Sequence, residues 1–259
     1  MRIIDLSVPI KNPKESEIPF EYHRQLTAKI EYMDHRVTVP QITQVLGCTE
    51  EDLPEQYGWA TEKITLTTHS GTHLDAPYHY YPTTDGKPAR TIDQLPLDWF
   101  MGDGVVFNFS HMKPGETVKI ADIEAALVEM NYTIKVGDIV YLRFDADKKL
   151  GTPEYFTEFP GMSAEATHYL IDLGVKIIGT DAMGLDVPFE KIAANFKESK
   201  DPKVIWEAHR VGMYKEYCQI EKMANLEKLP SHGFKTICMP INIYKASAGW
   251  VRPIAIIED

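Results

Sequence analysis

Three of the nine histidines and one aspartate fall within a single eleven-residue segment, His69-Ser-Gly-Thr-His73-Leu-Asp75-Ala-Pro-Tyr-His79. At the average histidine density of the chain, a window of this length would hold about 0.4 histidines. Imidazole nitrogens and carboxylate oxygens are the ligands that suit Zn²⁺, Mn²⁺ or Fe²⁺. The segment therefore predicts a divalent-metal site. The alternative is a polar strand whose histidines lie on the surface or are hydrogen-bonded within the core.

The spacing of these residues indicates how the chain could present them. Glycine and proline inside the segment argue against a continuous helix. All four side chains occupy odd positions, so an extended segment would place them on one side. The preceding residues 63–68 are rich in β-branched side chains and predict the strand that delivers them. We expect Gly71 to allow a close backbone approach, and Thr72 to fix the loop by hydrogen bonding.

The motif His-x-Gly-Thr-His-x-Asp-x-Pro-x-His resembles the signature of a known family at every specified position. That family is the putative cyclase, or bacterial kynurenine formamidase-like, family of metal-dependent hydrolases. Further segments resemble it at residues 5–10, 159–163 and 179–181, so the likeness extends from about residue 3 to the C-terminal strand. Residues 18–62 are longer and more aromatic than we expect of a minimal formamidase.

The resemblance carries over to individual ligands. His69, His73 and Asp75 resemble the ligands of a first metal. Asp75 also resembles a carboxylate that bridges two metals. Together with His209 and Glu221 it would complete the second metal site. In the family, a histidine and an acidic or amide residue at that twelve-residue offset complete the second metal. The resemblance therefore implies a divalent metal, Zn or Mn, at one or two ions per chain.

His79 resembles the catalytic histidine of the family. It would take a proton from the attacking water and return it to the leaving nitrogen. The implied activity is hydrolysis of a non-peptide C–N amide bond in a small, aromatic substrate, as in an arylformamidase or a cyclic amide hydrolase. Two alternatives stay open: a lyase or cyclase acting on a small carbonyl compound, and a catalytically silent homologue that binds metal or ligand.

Composition narrows the classes of partner. The chain has 259 residues, 44% of them hydrophobic, 25% charged, and a net charge of −11. This charge disfavours nucleic acids and anionic membranes as partners. It says nothing about a small-molecule substrate, which is the partner that the family resemblance implies. The three cysteines form no CxxC pair, and the chain start lacks an apolar leader, so we expect a cytoplasmic protein. The family resemblance implies a homodimer or homotetramer.

The remaining pattern predicts an α/β fold in one domain, residues 1–259. We expect strands within 1–10, 104–109, 139–144, 175–179, 234–243 and 254–257. Helices are predicted at 122–130 and 164–173, and partial helix around His209. The resemblance implies a mixed β-sheet curled into a partly open barrel of the swivelling β/β/α type, with flanking helices. Residues 11–58 read as irregular, and 11–62 are interpreted as a lid or an intersubunit arm.

Several other residues have weaker claims to a role. Asp181 follows a predicted strand and would either face the site or cap a loop. Cys218 is expected to be a buried, inert thiol, since no partner for a nucleophile is evident. His23 and His35 lie in the irregular segment and could reach a pocket. The aromatic side chains of that segment, which could line a pocket for a planar substrate, are Phe20, Tyr22, Tyr32 and Trp59.

Overall fold

Nine strands of the chain form one mixed β-sheet. The structure is a computed structural model that describes residues 1–19 and 27–258. The strand order is β1-β15-β13-β7-β9-β11-β12-β4-β14. The strands are β1 Arg2–Asp5, β2 Lys29–Met33, β3 Thr61–Thr65, β4 His73–Asp75, β5 Thr83–Thr84, β6 Lys87–Pro88, β7 Met101–Asn108, β8 Thr117–Val118, β9 Ile139–Arg143, β10 Gly161–Met162, β11 Ile177–Thr180, β12 Cys218–Glu221, β13 Phe234–Ile237, β14 Ala248–Trp250 and β15 Ile254–Ile257. The helices are α1 Val39–Leu46, α2 Pro77–Tyr80, α3 Ile120–Met130, α4 Ala164–Asp172, α5 Phe189–Ser199 and α6 Glu207–Arg210.

The centre of the sheet is parallel and its flanks are antiparallel. Strands β7, β9, β11 and β12 run parallel, whereas β13, β15 and β1 on one side and β4 and β14 on the other alternate in direction. Parallel strands are covered on both faces and therefore read as continuous apolar runs. This explains why the segments 104–109, 139–144 and 175–179 were recognisable as strands.

Each face of the sheet has its own apolar core. Val105 and Phe107 of β7 pack with Ile123 of α3 and Leu170 of α4 on the outer face. Val106 points the other way, into a second core inside the curled sheet. The sheet thus forms a half-barrel with helices outside, which confirms the predicted fold class.

The ends of the predicted helices follow local capping rules. The Ser163 hydroxyl oxygen accepts a hydrogen bond from the Ala166 N–H at 3.2 Å, so Ser163 is the N-cap of α4 as expected. Helix α3 ends at Asn131, whose left-handed backbone (φ 49°) stops it. Both helices were therefore predicted to within two residues.

Two expectations about the N-terminal third were wrong. The strand predicted at 63–68 is β3, which ends at Thr65 and pairs with β2 in a separate hairpin, so it does not deliver the histidines. Residues 11–58 are not all irregular, because they contain β2 and α1. Pro40 lies in the first turn of α1, where a backbone N–H would have no partner within the helix, so the lack of one costs nothing. Gly47 ends the helix in a left-handed conformation.

Strands β2 and β3 pair in a separate two-stranded antiparallel sheet, and helix α1 lies between them in sequence. These three elements, named the arm, have a small core of their own. Val39, Ile42 and Leu53 pack together there, while Tyr32 and Val45 remain exposed. The role of 11–62 as a lid or intersubunit arm, and the dimer or tetramer, stay predictions. His23, Phe20 and Tyr22 lie outside the described residues. Within residues 1–19 and 27–258, no helix is both long enough and apolar enough to cross a lipid bilayer.

Candidate active site

Two neighbouring strands bring the central polar side chains together. His73 and Asp75 lie two residues apart on β4, so their side chains leave the same face. Strand β12 pairs antiparallel with β4 and places Glu221 opposite His73. Directly opposed residues on paired strands project to the same side, so three potential ligands share one face. The sheet register thus assembles residues that are about 150 positions apart in sequence.

The intervening residues of the same strands are apolar. Leu74 of β4 and Ile220 of β12 are fully buried in the core inside the half-barrel. A slip of one residue in either strand would bury the acids in that core and expose the apolar side chains. The hydrophobic pattern therefore fixes the register on which the polar face depends.

His69 and His79 reach the polar face from outside the strand. His69 lies on a turn before β4, and its Nδ1 is 3.0 Å from Asp75 Oδ1. His79 lies in the one-turn helix α2, with its ring centroid 4.1 Å from that of His69. The expectation that one extended segment aligns all four side chains was wrong, because Gly71 bends the chain and Pro77 begins a helix. The four side chains nevertheless converge.

Hydrogen bonds hold the loop before β4 against other parts of the chain. The Thr72 hydroxyl donates to the Lys222 carbonyl oxygen at 2.6 Å and accepts from the Val8 N–H at 2.9 Å. Gly71 has φ 63°, and a β-carbon there would lie 3.2 Å from Ile10. Both expectations are confirmed: Thr72 fixes the loop, and Gly71 permits a close approach.

His209 comes from the short helix α6 and is oriented by Asp186. Its Nε2 lies 3.5 Å from Glu221 Oε1, while its Nδ1 is 2.5 Å from Asp186 Oδ2. Asp186 also accepts the backbone N–H groups of Ala208 and His209. Burial alone would lower the pKa of His209, but Asp186 and Glu221 raise it to about 10. The pocket around Nε2 therefore stabilises positive charge.

Three buried atoms at the centre of the site have no hydrogen-bond partner. They are His73 Nε2 and both carboxylate oxygens of Asp75. His73 Nδ1 lies 2.9 Å from the Gly71 carbonyl oxygen, so this nitrogen carries the proton and Nε2 presents a lone pair. Nε2 lies 3.2 Å from Asp75 Oδ1 and 3.6 Å from Glu221 Oε2. The Lys222 ammonium donates to Glu221 Oε2, but the acceptors on His73 and Asp75 have no such donor, and this arrangement fits a cation.

The ligand atoms are close enough together to share metal ions. One atom each from His69, His73 and Asp75 lie within 4.8 Å of one another, and so do atoms from Asp75, His79 and His209. Imidazole and carboxylate donors suit Zn²⁺ or Mn²⁺. The residues that the sequence predicted as ligands are thus brought together, and His79 also lies within reach of a cation.

A cavity of about 340 Å³ opens above these side chains. Its apolar wall comes from Phe159, Met183, Val187, Phe189 and Trp206. None of the described aromatic residues of 18–62, which could have lined a pocket, lies in this wall. Those residues belong to the arm, where Trp59 is exposed and His35 packs edge-on against Tyr57.

The polar side chains below the cavity, His69, His73, Asp75, His209 and Glu221, form its floor, and His79 lies between this floor and the aromatic wall. Its ring centroid is 5.6 Å from that of His209 and 6.2 Å from that of Trp206. Burial lowers the pKa of His79 to about 4. The imidazole is therefore neutral near pH 7 and able to accept a proton.

Asp181 and Cys218 are excluded from the site by their contacts. The Asp181 carboxylate accepts the N–H groups of Phe144 and Asp145, so it caps a loop and does not face the cavity. Burial raises its pKa to about 8. The Cys218 side chain is buried in the core inside the half-barrel, and burial raises its pKa well above the usual range. The expectation of an inert thiol is confirmed.

Four residues of the site were missed from the sequence. Asp186 orients His209, and Ser247 does the same for His69, whose Nε2 lies 3.1 Å from the Ser247 hydroxyl. Trp206 and Lys222 line the cavity. Backbone in the left-handed region, which both of these residues adopt, leaves no mark on a single sequence. The alternation of Cys218-Gln-Ile-Glu221 was a usable signal for β12, with its polar residues on one face.

A half-barrel that buries candidate imidazole and carboxylate ligands beneath an aromatic-walled cavity fits a hydrolase of the class to which the relatives below belong. The chain belongs to the family described as Putative cyclase, whose model matches residues 4–187. The segment from His69 to His79 lies inside the matched residues, whereas His209 and Glu221 lie beyond them. This confirms the resemblance inferred from the motif.

Named relatives belong to the same class. The isatin hydrolase of Roseibium aggregatum is 27% identical over 212 residues, which cover 75% of this chain and 73% of that protein. The kynurenine formamidase of Erythrobacter litoralis is 27% identical over 192 residues, 74% of each chain. A solved structure of isatin hydrolase A from Ralstonia solanacearum shares the fold, with a TM-score of 0.76 and 21% identity over 99% of this chain and 92% of that chain.

Proposed function

We propose that this protein uses a divalent metal to hydrolyse the non-peptide C–N bond of a small aromatic amide. The observation that carries the proposal is the set of unpartnered acceptors on His73 and Asp75 beneath the cavity. The names of the relatives suggest two substrate classes, aryl formamides and cyclic amides of the isatin kind.

The residues that would hold the metal are those of the polar floor. His69, His73 and Asp75 would bind one ion, and Asp75 with His209 and Glu221 a second. Zn or Mn suits this donor set. A divalent ion bound there lowers the pKa of a water molecule and polarises a carbonyl group. The Nδ1 contacts of His73 and His209 fix which ring nitrogen is left for the ion.

His79 would move the proton. Its neutral imidazole can accept a proton from the attacking water at a ring nitrogen and return it to the leaving nitrogen of the amide. A ring nitrogen of His79 lies within 4.8 Å of an Asp75 carboxylate oxygen. Attack beside Asp75 would therefore occur within reach of His79.

The aromatic wall would orient the substrate. The Trp206 ring stacks on the His209 ring with a centroid distance of 5.3 Å, and its centroid lies 6.3 Å from that of the Phe189 ring. A planar ring could pack against the cavity-facing surface of these side chains, and the apolar wall would displace water from the carbonyl to be attacked.

Turnover with defined metal content tests the proposal. Protein stripped by a chelator and reloaded with Mn²⁺ or Zn²⁺ would be assayed with formanilide, 2-formamidobenzoate and isatin, by release of the aryl amine or by ring opening. We expect hydrolysis of at least one of them by the reloaded protein and none by the stripped protein. No turnover of any amide at full metal occupancy would contradict the proposal and favour a silent homologue or a lyase.

A further inference from the structure

Lys222 has an unusual backbone conformation for a lysine next to the site. It directly follows Glu221 and has φ 59°, a region that residues with a β-carbon rarely adopt. Its N–H donates to the Ala182 carbonyl oxygen, and its own carbonyl accepts from Thr72, so both sides of the residue are held. Strain that the surroundings maintain in this way is found at functional sites.

The strained backbone places a cation inside the cavity. The Lys222 side chain is 9% exposed, and Lys222 lines both this cavity and a smaller one of about 110 Å³ next to Ile10 and Tyr155. Of the lysine and arginine side chains in residues 1–19 and 27–258, it alone lines this cavity. Its Nζ lies 3.3 Å from Glu221 Oε2. A buried ammonium needs an anion close by, and in this structure that anion is Glu221.

Glu221 cannot fully serve two cations. Its Oε1 lies 3.5 Å from His209 Nε2, where the second metal would bind, and its Oε2 faces both Lys222 and His73. A metal ion ligated by Glu221 would draw charge away from the ammonium. An ammonium has three donors, so Lys222 could then hold a second acceptor in the cavity.

We propose that the Lys222 ammonium binds a carboxylate of the substrate, adjacent to the amide that is cleaved. This inference deepens the proposed function and rests on it. The position follows from Glu221 Oε2, which is 3.3 Å from Lys222 Nζ and 3.6 Å from His73 Nε2. Only the Glu221 carboxylate separates the Lys222 ammonium from the ligands of the floor. A substrate carboxylate bound to this ammonium would therefore lie near the carbonyl that is attacked. With Trp206 against the ring, an aryl amide with an ortho carboxylate fits.

The test compares an acid with its neutral analogue in the metal-loaded protein. Lys222→Met keeps the length and the backbone strain of the side chain but removes its charge. Lys200→Met is the matched control, because Lys200 also has a left-handed backbone (φ 57°) but is exposed and does not line the cavity. Binding of 2-aminobenzoate and of 2-aminobenzamide would be measured by calorimetry at equal metal content, and kcat/KM with 2-formamidobenzoate and formanilide.

We expect wild-type protein and Lys200→Met to bind 2-aminobenzoate more tightly than 2-aminobenzamide. Lys222→Met should lose about 10- to 100-fold in affinity for the acid, since one charge-assisted hydrogen bond is removed, and little for the amide. In turnover, the ratio of kcat/KM for 2-formamidobenzoate to kcat/KM for formanilide should fall about 10-fold or more in Lys222→Met and stay at the wild-type value in Lys200→Met.

Two results would overturn the role of Lys222. The first is that wild-type protein binds 2-aminobenzoate no more tightly than 2-aminobenzamide. This measurement does not depend on the stability of any variant. The other is an equal affinity for the acid in wild-type protein and Lys222→Met, because the acid would then bind only through the metal. If neither formamide is hydrolysed while the binding difference persists, the proposed reaction fails and the anion site stands.

Discussion

The floor and the wall of the cavity are built from different kinds of structure. The floor places His73, Asp75 and Glu221 on two hydrogen-bonded strands, where the pairing register fixes their relative positions. The wall comes from loops and helix ends, with Phe189 at the start of α5 and Trp206 just before α6. Floor atoms can therefore shift only if the sheet does, whereas wall residues can change without disturbing it.

Backbone strain follows the same division. Trp206 has φ 54° and Lys222 has φ 59°, whereas β4 and β12 are regular strands. Strands hold three of the proposed ligands, whereas His69, His79 and His209 lie outside them on a turn and two short helices. Loops hold the groups that would select the substrate. Under the proposed function, the floor would set the reaction type and the wall the substrate preference.

Removal of His79 should have the largest effect on turnover while leaving the floor intact. His79→Ala is expected to lower kcat on the order of 10²–10⁴, because proton transfer is lost. Metal content, measured by elemental analysis, should stay close to that of wild-type protein. His79 also lies within reach of a cation, so His73→Ala is the comparison. Equal metal loss in the two variants would make His79 a ligand and move it into the floor.

Glu221→Ala should separate the two metal sites of the floor. The second ion loses an anionic ligand that no neutral neighbour can replace, so occupancy should fall by one ion per chain. The site of His69, His73 and Asp75 should stay occupied, and activity should drop at least about 10-fold. Full occupancy with full turnover would show that Glu221 is not a ligand and would favour a one-metal mechanism.

Trp206→Ala should alter substrate preference and not the chemistry. We expect KM for an aryl amide to rise about 10-fold, the equivalent of one lost aromatic contact, with kcat and metal content little changed. Trp99→Ala is a control, because Trp99 packs under Arg90 and Lys176 and does not line the cavity. A loss confined to kcat would contradict the division between wall and floor.

Asp181 is a buried carboxyl group outside the floor, and its raised pKa should make the stability of the protein depend on pH. Burial raises its pKa to about 8 in the folded state, from an ordinary value of 3.8. The folded protein then holds a proton that the unfolded chain releases, so stability falls as pH rises between these values. The slope is at most about 1.4 kcal/mol per pH unit. Asp181→Asn should remove this slope in urea unfolding at pH 5 and pH 7, with metal content unchanged. An identical slope in the two proteins would refute the assignment.

The sequence predicted the floor better than the wall for a physical reason. Three floor residues fall in one short segment, and the spacing of His73 and Asp75 needs only a strand to place them together. The prediction of which strand delivers them failed, because β-branched residues at 61–65 serve an exposed hairpin equally well. Only the family resemblance pointed to Glu221, since strand pairing across about 150 residues has no local signal.

The wall depends on contacts that only the folded chain makes. Asp186 acts through His209, 23 residues away, and neither the aspartate nor its spacing stands out in the sequence. Trp206 was not distinguishable from the aromatic residues of 18–62, which the structure assigns to the arm where it describes them. Aromatic composition indicates that a pocket can form but not which aromatics line it.

The metal content of wild-type protein and of Asp75→Asn tests the account most directly. Asp75 offers two unpartnered oxygens to both candidate sites, and the amide keeps its shape without its charge. After purification without chelator, elemental analysis of the wild type should find about one or two Zn or Mn ions per chain. The variant should have lost most of them and all turnover. Wild-type protein that stays metal-free after incubation with Zn²⁺ and Mn²⁺, or Asp75→Asn with full occupancy, would contradict the account.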